Sequence, residues 1–278
     1  MKKIIVPIDF SEHSEYALKT AATLAKKHDA EVLVLHMLEM STVALTASDE
    51  LLGQQAVFFM KLAEKKFKDF LDKDYLKGVN VTPIIKHFKV FSEVNDVAKE
   101  NNVDIIIMGS HGSSGIQEMF IGSNTERVVR NSEIPVLIVK NNVVDVNFDV
   151  IVLATDLEEE SIQSYINTRK MFQDVASKIY LVHVNLPNER FQSTTELEKK
   201  AVHFFTKADR SLNHLEDLRF VSDYTVDDGI LHFSNKSKAD LIVMPTHGRK
   251  GLAHFFQGSV GEDVVNHSTL PVLTIKME

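Results

Sequence analysis

Apolar residues fall along this chain in short continuous runs, separated by longer stretches with helical spacing. Ile4-Ile5-Val6, Val32 to Met37, Ile105 to Met108 and Val136 to Val139 are the runs. Runs without polar alternation suit parallel strands covered on both faces. Between the first two, Ala17, Leu18, Ala21, Ala22, Leu24 and Ala25 keep helical spacing to about Lys27. Ser11 is placed as the N-cap of that helix, with Glu12 and Glu15 in its first turn. Met40 to Leu52 has no clean period. Phe58, Phe59, Leu62, Phe67, Phe70 and Leu71 read as the buried face of a second helix. Val79 to Phe88 reads as a third strand, with Pro83 pointing to an edge or a bulge. Glu93 to Asn101 reads as a third helix.

The stretch from Asp104 to Lys140 carries the chemistry. Its apolar run ends at Gly109, and a loop with Gly112 and Gly115 follows. Gly122-Ser123 then precedes a helical segment, and Pro135 introduces the last strand. Ser123-Asn124-Thr125-Glu126 fits a capping box, so Ser123 is the expected N-cap. A glycine loop between a buried strand and a helix start can cradle an anion with backbone N–H groups. Taken alone, such a loop matches by chance and reads first as a plain connection with a well-capped helix.

The chain contains this stretch twice. His111, Gly112, Gly122, Ser123 and Pro135 align with His247, Gly248, Gly258, Ser259 and Pro271, each pair 136 positions apart. Earlier landmarks align at 147: Asp9 with Asp156, His36 with His183. The first copy is therefore 11 residues longer between Met37 and Asp104, the difference between 147 and 136. The second copy is expected to run strand Ile151–Ala154, helix Ser161–Phe172, strand Ile179–Val184 and helix Thr195–Leu215. Strand Phe220–Tyr224, helix Gly229–Ser237, strand Leu241–Met244, a loop, a helix and strand Val272–Ile275 complete it. A domain-sized period means a duplicated domain rather than a solenoid. Domains are expected over residues 1–143 and 148–278, with polar Asn141 to Phe148 as linker. Strands alternating with helices imply α/β architecture: two tandem open parallel five-stranded sheets with helices on both faces. Ligands of such sheets bind at the C-terminal strand ends.

Gly109-x-x-Gly112, nine residues, then Gly122-Ser123 resembles the G-2x-G-9x-G-[S/T] signature of the universal stress protein family. An early strand ending Pro7-Ile8-Asp9, a second ending His36-Met37 and a final PVLIVK stand where that family has them, across both halves. The resemblance implies a Rossmann-like, adenine nucleotide alpha hydrolase-like fold and an ATP site. It places phosphates and ribose against Met108, Gly109, His111, Gly112, Gly122, Ser123, Asn124 and Thr125. It places Pro7, Ile8 and Asp9 at the first strand tip, and Met37 against the base. Asp9 reads either as a helix-capping carboxylate or as an acceptor for ribose or adenine; the adjoining loop favours the second. Met37 reads as base contact or plain core. In the second half Thr155, Asp156, Val184, Gly248, Gly258 and Ser259 are the counterparts. There Pro245 replaces the first glycine, removing a backbone donor, and Gly261 replaces Thr125. The first half is thus the expected stronger site. Family members commonly pair through the last strand, so an intrachain pseudo-dimer is expected, with a homodimer open.

Composition narrows this. The 278 residues carry net charge −8, which argues against a nucleic-acid binder. The chain has no cysteine, hence no disulfide or thiol chemistry. No apolar run reaches membrane-spanning length, and a cytoplasmic location is the default. There is no Walker-type lysine loop, and no His pair has standard zinc spacing. Mg²⁺ or Mn²⁺ is expected only on the nucleotide phosphates. The functional expectation is an ATP-dependent stress-response switch with slow or no hydrolysis and an unidentified protein partner. The rival is a nucleotide-independent interaction module.

Overall fold

The computed structural model describes all residues except 39–48, 88–92, 112–120, 142–146, 247–259 and 278. The chain divides into two compact units, residues 1–118 with 122–144 and residues 145–278 with 119–121.

In the first unit the strands are β1 (Lys3–Ile8), β2 (Glu31–Leu38), β3 (Asn80–His87), β4 (Ile105–Gly109) and β5 (Val136–Val139). The helices are α1 (Glu12–His28), α2 (Asp49–Leu71), α3 (Val94–Glu100) and α4 (Ser123–Asn131). The strand order is β3-β2-β1-β4-β5, and every pairing is parallel. β1 and β4 are buried throughout their apolar runs. That is why they lack polar alternation. Pro83 sits in β3, at the end of this order, where a missing N–H costs no ladder bond on the outer side.

α1 begins where its sequence says. Ser11 is extended, and its hydroxyl accepts from the Ser14 N–H. Glu12 and Glu15 occupy the positive end, and Lys26, Lys27 and His28 the negative end. Its buried face is Ala17, Leu18, Ala21, Ala22, Leu24 and Ala25, small enough to lie close on the sheet.

α2 departs from expectation. It starts at Asp49, inside the stretch without a clean period. Ala63, Phe67 and Phe70 are buried, whereas Phe58 is 64 % and Leu62 39 % exposed. Phenylalanine occurs on more than one side of this helix, so spacing alone does not select the inner face.

The second unit repeats the plan with β6 (Val150–Ala154), β7 (Lys178–Asn185), β8 (Leu218–Ser222), β9 (Leu241–Thr246) and β10 (Val272–Lys276). The order β8-β7-β6-β9-β10 corresponds to that of the first unit, again parallel. Its helices are α5 (Ile162–Phe172), α6 (Thr194–Ala208), α7 (Val226–Ser237) and α8 (Val260–His267). α6 carries a capping box between Ser193 and Glu196. It ends at Ala208, short of the expected Leu215. Asp209 caps it, and Arg210 follows at φ 54°. Asp209, Ser211 and Asn213 there favour turns over a further helical round. β8 starts at Leu218, two residues before the expected Phe220, and α7 is capped by Thr225 rather than beginning at Gly229. Phe148, expected in the linker, is 2 % exposed and packs edge-on to Phe172 at 5.8 Å. It belongs to the second core.

Candidate functional site

The strand order changes direction between β1 and β4, whose C-terminal ends form the crevice where open α/β sheets bind ligands. Ile8 ends β1 and Gly109 ends β4. Pro7, Ile8, Met37 and Met108 are buried, so they form the floor of this edge rather than its surface.

Asp9 follows β1. Its Oδ1 accepts from the Ser11 N–H at 3.0 Å and the Ser14 hydroxyl at 2.5 Å. The Asp9 N–H in turn donates to Ser14 Oγ at 3.1 Å. Asp9 thus closes a turn just ahead of the helix, while the cap itself is Ser11. Asp156 repeats it, with Oδ1 accepting from the Glu158 N–H at 2.9 Å and the Ser161 hydroxyl at 2.6 Å. The residue after each aspartate is left-handed, Phe10 at φ 64° and Leu157 at φ 61°. Bulky residues rarely accept that conformation, and it costs on the order of 1–3 kcal/mol. The carboxylate turn holds the chain there in both units.

Gly109 has a steric reason to be glycine. A Cβ on it would lie 2.7 Å from the His13 backbone in the first turn of α1. Its carbonyl accepts from the Thr125 hydroxyl at 2.8 Å. Ser110 N–H donates to the Val139 carbonyl at 3.1 Å, and Gly122 N–H to the Ser110 carbonyl at 2.8 Å. These bonds tie the start of α4 to the ends of β4 and β5. Thr125 is 3 % exposed, so its hydroxyl positions Gly109.

The expected capping box on α4 is not formed. Gly122 is the N-cap, extended at φ −61°, and no side chain caps the helix. Ser123 is already helical, one residue inside its expected place. The reason is the Gly122–Ser110 bond, which fixes the boundary one position earlier. An uncapped helix start leaves first-turn N–H groups without a side-chain acceptor, the arrangement that accepts anions. Ser123 is exposed and Asn124 half-buried there.

His111 Nδ1 lies 2.9 Å from Ser110 Oγ. His36 Nδ1 lies 2.9 Å from the Ile8 carbonyl, and His183 Nδ1 3.1 Å from that of Thr155. Each of the latter two rings pins the tip of its first strand, and burial holds both imidazoles below the ordinary histidine pKa. Burial also brings Lys140, just after β5, down to about 8.

In the second unit Thr155 Oγ1 accepts from the Leu157 N–H at 2.9 Å, and Val184 is buried against Gly229. Pro245 lies within β9, opposite Ile275. Gly112, Gly248, Gly258, Ser259 and most of the Ser113–Ile121 loop lie outside the described residues. Among the described residues no three His, Asp or Glu side chains could together hold a metal ion, and no helix is long and apolar enough to cross a membrane. The sequence reading passed over Ser14, Ser110 and His13. Ser14 had a signal, since Ser161 stands 147 positions later.

The universal stress protein family model matches residues 1–140 and again 147–276. A universal stress protein of Methanocaldococcus jannaschii is 33 % identical over 149 residues, covering 50 % of this chain and 82 % of that protein. The universal stress protein YxiE of Bacillus subtilis is 32 % identical over 145 residues, covering 50 % of this chain and 98 % of its own. Among solved structures, a universal stress protein from Archaeoglobus fulgidus superposes with TM-score 0.65 at 20 % identity, over 99 % of this chain and 96 % of that one. That likeness shows the fold. With both halves matched by one family model, the chain belongs to the universal stress protein family.

Proposed function

We propose that the first unit binds an adenine nucleotide, ATP by preference, and that binding switches the surface the protein offers a partner. The observation that carries this reading is the start of α4. Gly122 leaves it without a side-chain cap, and it is tied by hydrogen bonds to the strand ends at the direction change of the sheet. Backbone amides of Ser123 and Asn124 would face the phosphates, with the Ser123 hydroxyl beside them. Gly109 and Thr125 act one step behind, fixing that helix start. Asp9 holds the strand tip in shape, and Met37 supports the floor. A divalent ion would ride on the phosphates. The reading assigns binding and no reaction.

The ligand would stabilise the folded state by about 2.7 kcal/mol at a hundredfold excess over Kd. Full-length protein melted with and without ATP should show a clear rise in Tm. Gly122→Val should abolish the rise while leaving the nucleotide-free Tm nearly unchanged. No rise in the parent protein would leave the interaction-module reading in its place. Gly109→Val is a poor probe, because its Cβ would disturb α1 whether or not nucleotide binds.

A further inference from the structure

β8 ends the strand order of the second unit, on the side away from β10, and no strand pairs with its outer edge among the described residues. The matching edge strand of the first unit, β3, carries Pro83, a residue type that blunts sheet edges. Leu218 to Ser222 has none. Phe220 is 41 % and Tyr224 86 % exposed here.

The ladder fixes which backbone groups of β8 face outward. The Thr155 N–H donates to the Val182 carbonyl at 2.9 Å, so Val182 turns its peptide groups toward β6. Its neighbours Leu181 and His183 therefore turn theirs toward β8. There they bond the residues flanking their partners Leu218 and Phe220. Arg219 and Val221 are thus bonded inward, and Leu218, Phe220 and Ser222 point their N–H and C=O groups outward. Arg219 agrees with this, since its Nη1 donates to the Leu218 carbonyl at 2.8 Å and to that of Glu216 at 2.7 Å. The guanidinium covers the start of the edge and leaves Phe220 and Ser222 open.

An antiparallel neighbour sets outward residues opposite outward residues. A two-fold axis relating two β8 strands then passes through a residue position, and the charges choose which one. At Arg219 it sets two guanidinium groups opposite each other. At Phe220 it sets Asp217 opposite Asp223, and at Ser222 it sets Arg219 opposite the neutral Thr225. At Val221 it sets Arg219 opposite Asp223 in both directions. These are inward-bonded residues, hence a non-hydrogen-bonded pair, in which facing side chains come closest. Phe220 then faces Ser222 of the other copy and exchanges both backbone bonds with it. Leu218 comes opposite the exposed Tyr224, and the two Phe220 rings meet on the diagonal.

We propose that a second copy of this chain adds to the β8 edge, antiparallel and centred on Val221, to form a two-fold homodimer with reciprocal Arg219–Asp223 pairs. Asp223 is prepared for this. Its Oδ2 lies 2.8 Å from His232 Nδ1 and its Oδ1 accepts from the Tyr224 N–H at 2.8 Å. Each carboxylate oxygen keeps a further lone pair for a guanidinium. The interface is independent of the nucleotide reading and of any pairing through the last strand.

Full-length protein without nucleotide should sediment as a dimer that dissociates on dilution. Arg219→Asp and Asp223→Arg should each raise the dissociation constant at least about tenfold, because both cross-strand pairs become like-charged. Mixed together, the two variants should form a one-to-one heterodimer, since every charge again faces its opposite. Ser222→Pro removes an outward N–H and leaves the ladder with β7 intact, so it too should dissociate the dimer. It replaces Asp223→Arg if the latter melts early. A parent protein monomeric at every concentration would overturn the proposal and leave the edge to a strand of another protein. A dimer unmoved by these variants would overturn it as well, because the contact would lie on another surface. Single variants whose mixture stays monomeric would do the same by removing the register. The ATP melting experiment succeeds or fails separately.

Discussion

Position for position, the two units part company at the end of the fourth strand. In the first, Gly109 closes β4 and α1 is already helical at His13, its backbone 2.7 Å from where a Cβ would stand. In the second, Pro245 occupies that place within β9. The counterpart of His13, Glu160, lies in a 3-10 turn, and α5 proper begins only at Ile162. The aspartate turn before the helix is the same in both. So one fold tolerates either residue at the strand end, provided the helix start shifts with it. In the first unit the glycine lets the backbone of helix and strand approach closely beside the loop.

That contrast is sharpest under exchange. Gly109→Val should destabilise the first unit by roughly 1–3 kcal/mol, the usual cost of forcing atoms into a packed site, since backbone rather than a flexible side chain must yield. Pro245→Gly should cost the second unit less than about 1 kcal/mol, mostly by loosening the unfolded chain. Hydrogen exchange read separately at Ile4–Ile8 and Val150–Ala154 distinguishes the units. Equal losses would mean the strand ends are not the point of divergence.

The next test addresses the shared feature. Asp9→Ala and Asp156→Ala each remove an acceptor of one N–H and one hydroxyl and release a left-handed residue. Each should destabilise its own unit by about 1 kcal/mol, the ordinary net worth of a side-chain hydrogen bond. Asp9, the less exposed of the two, should lose more. A loss confined to nucleotide binding, with exchange at β1 unchanged, would restore the direct ligand role for Asp9.

Much of this was legible in the residues. The continuous runs gave the central strands because burial on both faces removes alternation. Ser11 was recognisable as a cap because its acidic first turn follows directly. Ser123 was misread because the box pattern is local, whereas the boundary is set by Gly122 bonding to Ser110, twelve residues away in sequence. Phe58 and Leu62 were misplaced because a helix rich in phenylalanine offers two faces of similar hydrophobicity. The left-handed positions Phe10 and Leu157, and Asn102 and Lys238 at φ 54°, carry no glycine to announce them. Only their recurrence at the repeat spacing sets them apart.

The smallest expected effect concerns pH, and it too separates the units. In the first, burial lowers the pKa of His36 and of His28. A histidine held neutral in the fold contributes stability that is full above about pH 6.5 and lost as pH falls through the interval down to its folded pKa. In the second, His183 behaves the same way, but Asp223 raises the pKa of His232. That pair contributes stability below about pH 6.5, lost as pH rises through the raised value. It therefore offsets part of the His183 loss on acidification. Between pH 7.5 and 5.5 the first unit should weaken more than the second, by exchange at Ile4–Ile8 against Val150–Ala154. His36→Gln should flatten the first unit's response, because an amide can still donate to the Ile8 carbonyl but does not titrate. His232→Gln should steepen the second's by removing the offset, although this exposed pair is readily screened by salt. An acid response equal in the two units, or steeper in the second, would show that these rings do not govern it.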